Sequence, residues 1–149
     1  MKKVLCFVLP FFLILSAGCK KEKKFTEAYY ILGKWTMATR NLDYRAYREC
    51  EANPKESAVF SEMFRDRYYD SARVISVSKL DEDDIRKDPL GLAFMHREVS
   101  FECTEISRRT GRTIQAVRGD VLFIHYTEGK RKNDGWLMLN RTMIRTGMK

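Results

Sequence analysis

The stretch YYILGKWTMATRNLDYRAY, residues 29–47, decides the fold because it fits two different periodicities. With period two, Ile31 and every second residue to Met37 would fall on one side of a strand. With period 3.6, one apolar stripe runs along a helix. The stripe consists of Ala28, Ile31, Leu32, Trp35 and Ala38. The residues that follow this stretch favour the helix.

Further helical signals follow the break at residues 41–43, and a short second helix is expected from Tyr44 to Cys50. A third helix is predicted to run to about residue 69, with Asn53 as N-cap, Pro54 at the first helical position and Glu56 completing the cap. Beyond residue 71 the period changes to two. Strands are predicted at 72–80, 96–107, 112–117, 121–127 and 135–145, with Gly119 and Asp120 as a two-residue hairpin turn.

Helices followed by strands predict an α+β fold in which N-terminal helices pack on a curved antiparallel sheet. Three helices, the NLDYRAY junction, a meander and the closing DGWLMLNRTMIR resemble the nuclear transport factor 2-like, ketosteroid-isomerase-like cone fold, a cystatin-like roll, over residues 25–145. The resemblance implies a binding module, or less often an isomerase or dehydratase. An alternative is a lipocalin-like carrier, because Gly33 and Trp35 are similar to the G-x-W opening of that barrel.

The N-terminus has the order of a secretory signal: two lysines, an apolar run over residues 4–15, then small residues. The ending LSAGC resembles the lipobox of bacterial lipoproteins, which implies lipid on Cys19, removal of residues 1–18 and a membrane anchor. Lys20 after that cysteine favours the outer membrane by the same resemblance. The alternative is an ordinary signal cut near Ala17 or Gly18, which would leave a free thiol. Residues 19–24 then form a basic tether, and residues 25–149 form a single domain.

The formal charge of +8 overstates how basic the domain is. Two lysines leave with the signal and residues 20–24 contribute a net three positive charges, so residues 25–149 carry +3. This charge is too small to argue for nucleic acid as a partner. The tether is expected to lie over anionic headgroups or to stay solvated.

Two cysteines, Cys50 and Cys103, remain in the expected exported domain. A pair in an oxidising compartment predicts a disulfide, and the alternative is two buried free thiols. No spacing typical of a metal site is present, and no cofactor is expected.

A hairpin at Gly119 would place one set of strand residues on the side that the helices cover. With two helix residues, these side chains would line a pocket for a small apolar ligand, with His125 as its polar group. The pocket residues are Tyr29, Trp35, Phe101, Ile114, Phe123 and His125. The alternative is that they fill the core. Glu105 would lie about 10 Å from His125, so the two could serve an isomerase-like or dehydratase-like enzyme, a minority hypothesis.

Two surfaces complete the sequence-based expectations. The outer sheet face is unusually apolar and suggests a homodimer or an envelope protein partner. Its residues are Ile106, Val117, Leu122, Ile124 and Tyr126. A basic rim is expected at one end of the meander, either as solvated turns or as a site for anionic partners. Its residues are Arg108, Arg109, Arg112, Lys130, Arg131 and Lys132. The leading hypothesis is a membrane-anchored, non-enzymatic binding or assembly module of the cell envelope.

Overall fold

The computed structural model describes residues 25–146, and the predicted signal, Cys19 and the tether lie outside them. Three helices pack against a curved, unclosed antiparallel sheet of five strands, which confirms the α+β prediction. The helices are α1 (Thr26–Asn41), α2 (Tyr44–Arg48) and α3 (Ser57–Met63). The strands are β1 (Arg67–Val77), β2 (Arg86–Lys87), β3 (Ala93–Ser107), β4 (Thr113–Tyr126) and β5 (Trp136–Thr146), with a 3-10 helix, Lys130–Asp134, before β5.

The opening stretch is helical, as predicted. The apolar stripe of α1 is buried, with Trp35 only 1% exposed. The helix ends where Leu42 adopts a left-handed conformation, and the Asp43 side chain then caps α2 by accepting from the Ala46 N–H. Because residues 31–37 are helical, the strand that a lipocalin-like barrel requires there is absent. The lipocalin alternative is therefore wrong.

The third helix is shorter than predicted. Its N-cap is Glu56, which makes no side-chain cap, and not Asn53. The Tyr47 hydroxyl accepts from the Lys55 N–H, which holds the chain before the helix against α2. The helix ends at Met63 because Arg67, which was expected to extend its apolar side, instead begins the ladder of β1 on β3.

The predicted hairpin at Gly119 and Asp120 is wrong. Strand β4 runs without a break through both residues and pairs with β3 on one side and β5 on the other. A Cβ atom on Gly119 would lie 2.8 Å from the Phe101 ring and 2.9 Å from the Thr142 carbonyl oxygen. Glycine is therefore needed for close packing inside the sheet, and not for a turn.

Because β4 continues through the predicted turn, several of its residues lie on the opposite face of the sheet from the one predicted. Val117, predicted on the outer face, pairs with Cys103 and is buried under the helices. Ile114 and Ala116, predicted on the inner side, are exposed. The sheet order is β1-β3-β4-β5, with β2 paired to one end of β3.

The core has two parts, one on each side of the sheet. The larger part lies between the helices and the concave face and contains Trp35, Phe101 and Phe123. The smaller part lies on the outer face, where Ile124 and Tyr126 pack with Ala52, Phe94 and Leu137. Two residues of the predicted partner surface, Ile124 and Tyr126, are thus covered by the chain itself. The homodimer stays a prediction.

Candidate functional site

The predicted pocket around His125 is not assembled. Trp35, Phe101 and Phe123 belong to the packed core, whereas Tyr29 and Ile114 are 50% and 41% exposed. The buried members of this set, Trp35, Phe101 and Phe123, fill the core, as the alternative hypothesis expects.

His125 lies at the far end of β4 among aromatic rings. Its ring is 5.5 Å from that of Trp136, which packs at 4.9 Å against Phe25. Phe25 also contacts Phe123 at 5.5 Å. The His125 Nδ1 atom is buried and has no hydrogen-bond partner among residues 25–146. The His125 ring is partly buried at the edge of the core, and no group of the described residues satisfies its Nδ1.

Glu105 does not accompany His125. Glu105 pairs with Gln115, and His125 pairs with Met95, so ten residues of strand separate them. At about 3.3 Å per residue the separation is about 33 Å along the strand, and not the predicted 10 Å. The two groups cannot act on one small substrate.

The predicted basic rim is divided between two ends of the sheet. Residues 108–112 precede β4 and residues 130–132 follow it, so the whole strand lies between them. Arg108 donates to the carbonyl oxygens of Thr39, Arg40 and Phe64. Arg131 lies over the Tyr126 ring at 4.3 Å and donates to the Ala52 carbonyl oxygen. Both are structural arginines rather than members of one anion site.

The predicted disulfide is not formed, and Cys50 and Cys103 are buried free thiols. The Cys50 carbonyl accepts from the Met138 N–H, and Met138 aligns through Phe123 with Arg97 on β3. Cys103 lies six residues further along that strand, about 20 Å away. The prediction rested on the number of cysteines and the expected compartment, which contain no information about the distance between the two thiols.

A site that the sequence reasoning missed opens between the helices and strands β1 and β5. We call it the arginine cleft, and its volume is about 630 Å³. Its polar lining consists of Glu51, Asn53, Lys55, Arg67, Asn140, Arg141 and Arg145. Its apolar lining consists of Trp35, Tyr47, Met63, Phe64, Tyr69, Leu139 and Met143.

Strand β5 supplies two of the arginines by its alternation. Arg141, Met143 and Arg145 pair with Val121, Gly119 and Val117, all of which face the helices. Every second residue of this part of β5 therefore points into the cleft. The inward arginines were recognisable only once the register of β5 on β4 was known.

Arg141 makes the deepest ion pair of the cleft. Its Nη1 lies 2.5 Å from Glu51 Oε1, and its guanidinium lies 4.6 Å from the centre of the Trp35 ring. Backbone hydrogen bonds from Ala52 to Met138 and from Met138 to Cys50 hold Glu51 in place. Burial raises the pKa of Glu51, and the charge and hydrogen bond of Arg141 oppose that rise.

Glu105 forms a second ion cluster beside the cleft. Its carboxylate is fully buried and accepts from Arg67 Nη1 at 2.8 Å and from the Gln115 amide. Arg145 Nε lies 3.5 Å from the same carboxylate. Burial alone would raise the pKa of Glu105, but the hydrogen bonds from Gln115 and Arg67 and the charge of Arg145 hold it below its usual range.

The buried Trp35 indole leaves a donor unused. The Nε1 atom has no hydrogen-bond partner within residues 25–146, although the side chain is 1% exposed and lines the cleft. Buried donors are nearly always satisfied in folded proteins. An acceptor brought into the cleft would satisfy this one.

A larger cavity, about 870 Å³, lies on the other side of Glu51. Exposed residues form much of its wall, including Arg45, Arg48 and Glu49. Lys34 and Glu49 already pair with each other there at 2.5 Å. This cavity is a weaker candidate because its charged groups are already paired with each other and ion pairs between exposed side chains contribute little free energy.

The described residues contain neither a cluster of metal ligands nor a membrane-spanning helix. They contain no group of three or more histidine, cysteine or acidic side chains that could hold a metal ion. No helix among them is long and apolar enough to cross a membrane.

Comparison with known proteins identifies no family. No protein-family model matches the chain, and no curated protein matches it. A solved structure, described as the intermembrane space region of the chloroplast protein ARC6, is similar with a TM-score of 0.34 and 10% sequence identity, covering 81% of this chain and 96% of that chain. The resemblance to the nuclear transport factor 2-like fold stays a prediction.

Proposed function

We propose that this chain is a lipid-tethered, non-enzymatic binding module of a bacterial cell envelope, and that the arginine cleft is its ligand site. The observation that carries the proposal is the open cleft of about 630 Å³, one of whose lining residues, Trp35, has a buried Nε1 without a hydrogen-bond partner in the described residues. Half of the residues that line the cleft are polar or charged and half are apolar. A concave site in which converging polar groups stand beside apolar side chains is a candidate for small-molecule binding.

The polar groups of the cleft favour binding over catalysis. A general base needs a free lone pair within reach of its substrate. Both oxygens of Glu105 are engaged by Arg67, Arg145 and Gln115. Glu51 forms an ion pair with Arg141 through Oε1, and the positive charge of Arg141 opposes its uptake of a proton. His125, the other expected base, lies at the opposite end of β4.

The tether rests on the sequence alone, on LSAGC and the basic residues 20–24. Phe25 is already buried against Phe123 and Trp136. The six residues 19–24 span at most about 22 Å when fully extended, so lipid on Cys19 would hold the domain close to the membrane surface. The proposed location is the outer membrane, from Lys20.

The tether is tested by Cys19→Ser in cells. Without lipid on Cys19, membrane attachment by acyl chains is lost, and the chain is expected to leave the outer-membrane fraction. Fractionation with immunodetection measures the change, and Lys21→Ser is the matched control. Membrane retention of the Cys19→Ser chain equal to that of the control contradicts the tether.

The ligand site is tested by filling the cleft. Met143→Trp enlarges a residue of the cleft lining, and Met37→Trp makes the same change on α1, where the side chain is 63% exposed. Small molecules that co-purify with the full chain are extracted and identified by mass spectrometry. A bound species is expected with wild type and Met37→Trp and is expected to be lost with Met143→Trp. No bound species, or equal amounts in all three, contradicts the proposal.

A further inference from the structure

We propose that the ligand of the arginine cleft is an amphipathic organic anion, a carboxylate or phosphate monoester with an apolar body. This inference rests on the proposed function of the same cleft and adds the chemistry of its ligand. Oxygen atoms of the anion would accept from the cleft guanidiniums and from Trp35 Nε1, and the body would lie against the aromatic wall.

The charge balance of the cleft supports an anion. Four cationic side chains, Lys55, Arg67, Arg141 and Arg145, stand against the two carboxylates of Glu51 and Glu105. The excess of two positive charges lies in a concave, partly dry site, where the field is focused.

Both carboxylates are already paired with arginines, whereas Arg67 and Arg145 use only some of their N–H donors in these pairs. Each guanidinium carries five N–H donors in a fork that matches carboxylate and phosphate oxygens. Arg67 reaches Glu105 through Nη1 and Arg145 through Nε. Their side chains are 40% and 55% exposed, so their remaining donors are accessible to a ligand.

Trp35 Nε1 is an independent indication of an acceptor. This atom can only donate, it belongs to a residue that lines the cleft, and it has no partner in the described part of the chain. A cationic ligand would leave it unsatisfied, whereas an anionic oxygen would accept from it. The Trp35 ring stacks on Tyr69, with the ring centres 5.2 Å apart.

The apolar lining requires more than a bare anion. Tyr69, Phe64, Met63 and Met143 offer surface that inorganic phosphate would not cover. Contact that removes this apolar surface from water favours binding. The structure therefore favours a ligand with both an anionic group and a hydrocarbon body.

The test compares probes that share one body and differ in the head group. These are 3-phenylpropionate, 3-phenylpropyl phosphate, 3-phenylpropanol and 3-phenylpropylamine, titrated into the ¹⁵N-labelled full chain in detergent. The readout is the indole N–H resonance of Trp35, which Trp136→Phe distinguishes from the other tryptophan. The relative affinities of the carboxylate and the phosphate identify which anion the cleft prefers.

At least one of the two anions is expected to shift the Trp35 resonance and to bind at least about tenfold more tightly than the alcohol, because charge-assisted hydrogen bonds are the stronger class. The amine is expected not to bind. Arg145→Gln is expected to weaken anion binding about tenfold, and Arg118→Gln, an exposed change on the outer face of β4, is expected to leave it unchanged. Lys55→Gln, at an exposed loop position, is a second variant should Arg145→Gln fail to fold.

The outcomes separate this inference from the proposed function. If the alcohol and the anions bind equally and each shifts the Trp35 resonance, the inference that the ligand is an anion is wrong, whereas the proposal that the cleft is a ligand site is supported. Anion binding that Arg145→Gln and Lys55→Gln both leave unchanged also overturns the inference. Failure of every probe to shift Trp35, with no molecule co-purifying, overturns both.

Discussion

At the scale of single residues, Cys50 and Cys103 have the chemistry of buried hydrophobic groups. Burial raises the pKa of each thiol to about 12. Only the thiolate is a nucleophile, and at pH 8 about one thiol in ten thousand is ionised at such a pKa. We expect neither cysteine to react with iodoacetamide in the native chain at pH 8 and both to react after unfolding in guanidinium chloride, measured by peptide mass spectrometry.

The pH dependence of that reaction provides its control. Raising the pH increases the thiolate fraction about tenfold per pH unit below a pKa of about 12, so the low native-state reactivity at these two positions should rise in the same proportion above pH 8. Free glutathione in the same tube should react readily at pH 8. A Cys50–Cys103 peptide in the unreduced digest, or rapid native alkylation at pH 8, contradicts two buried free thiols.

At the scale of elements, two glycines that look alike in sequence have opposite roles. Gly119 lies inside β4, where an added methyl group would meet the Phe101 ring and the Thr142 backbone. Gly33 lies inside α1, and a methyl group there meets nothing within 4 Å. Gly119→Ala should lower the free energy of unfolding by about 1–3 kcal/mol through overpacking. Gly33→Ala should raise it by about 0.5–1 kcal/mol through helix propensity.

Urea unfolding followed by circular dichroism measures both changes, and each variant controls for the other because the chemical change is identical. If Gly119 stood in a solvated hairpin turn, its alanine variant would not meet Phe101. An unfolding free energy for Gly119→Ala within 0.5 kcal/mol of wild type would therefore argue against the continuous strand.

The same glycine explains how far the sequence could predict the fold. Residues 29–47 identified α1 and α2 from local signals, because periodicity and capping act within one element. Gly119 and Asp120 satisfy the local rule for a hairpin equally well. The local hairpin rule fails here because Gly119 pairs with Phe101 and Met143, which lie in distant parts of the chain.

At the scale of the whole molecule, the prediction of the functional site depends on how Gly119 pairs with Phe101 and Met143. The false turn placed Ile114 on the inner face and Val117 on the outer face. It also joined Arg108 to Lys130 at one rim. With β4 continuous, the inward residues of β5 become Arg141, Met143 and Arg145, and the cleft lies there instead. Local patterns could not reveal the cleft because its walls come from α1, α3, β1 and β5.

Arg108 connects the ends of α1 and α3 to the sheet, and its substitution is expected to destabilise the whole domain. Its guanidinium donates to the carbonyl oxygens of Thr39 and Arg40, at the end of α1, and of Phe64, at the end of α3. Hydrogen bonds from charged donors contribute about 1.5–3 kcal/mol each and are not additive. Arg108→Gln should therefore lower the free energy of unfolding by about 2–4 kcal/mol, measured in urea. The neighbouring, exposed Arg109→Gln makes the same change of charge and should stay within about 0.5 kcal/mol of wild type. Equal effects of the two variants would mean that charge, and not the three carbonyl contacts, accounts for the role of Arg108.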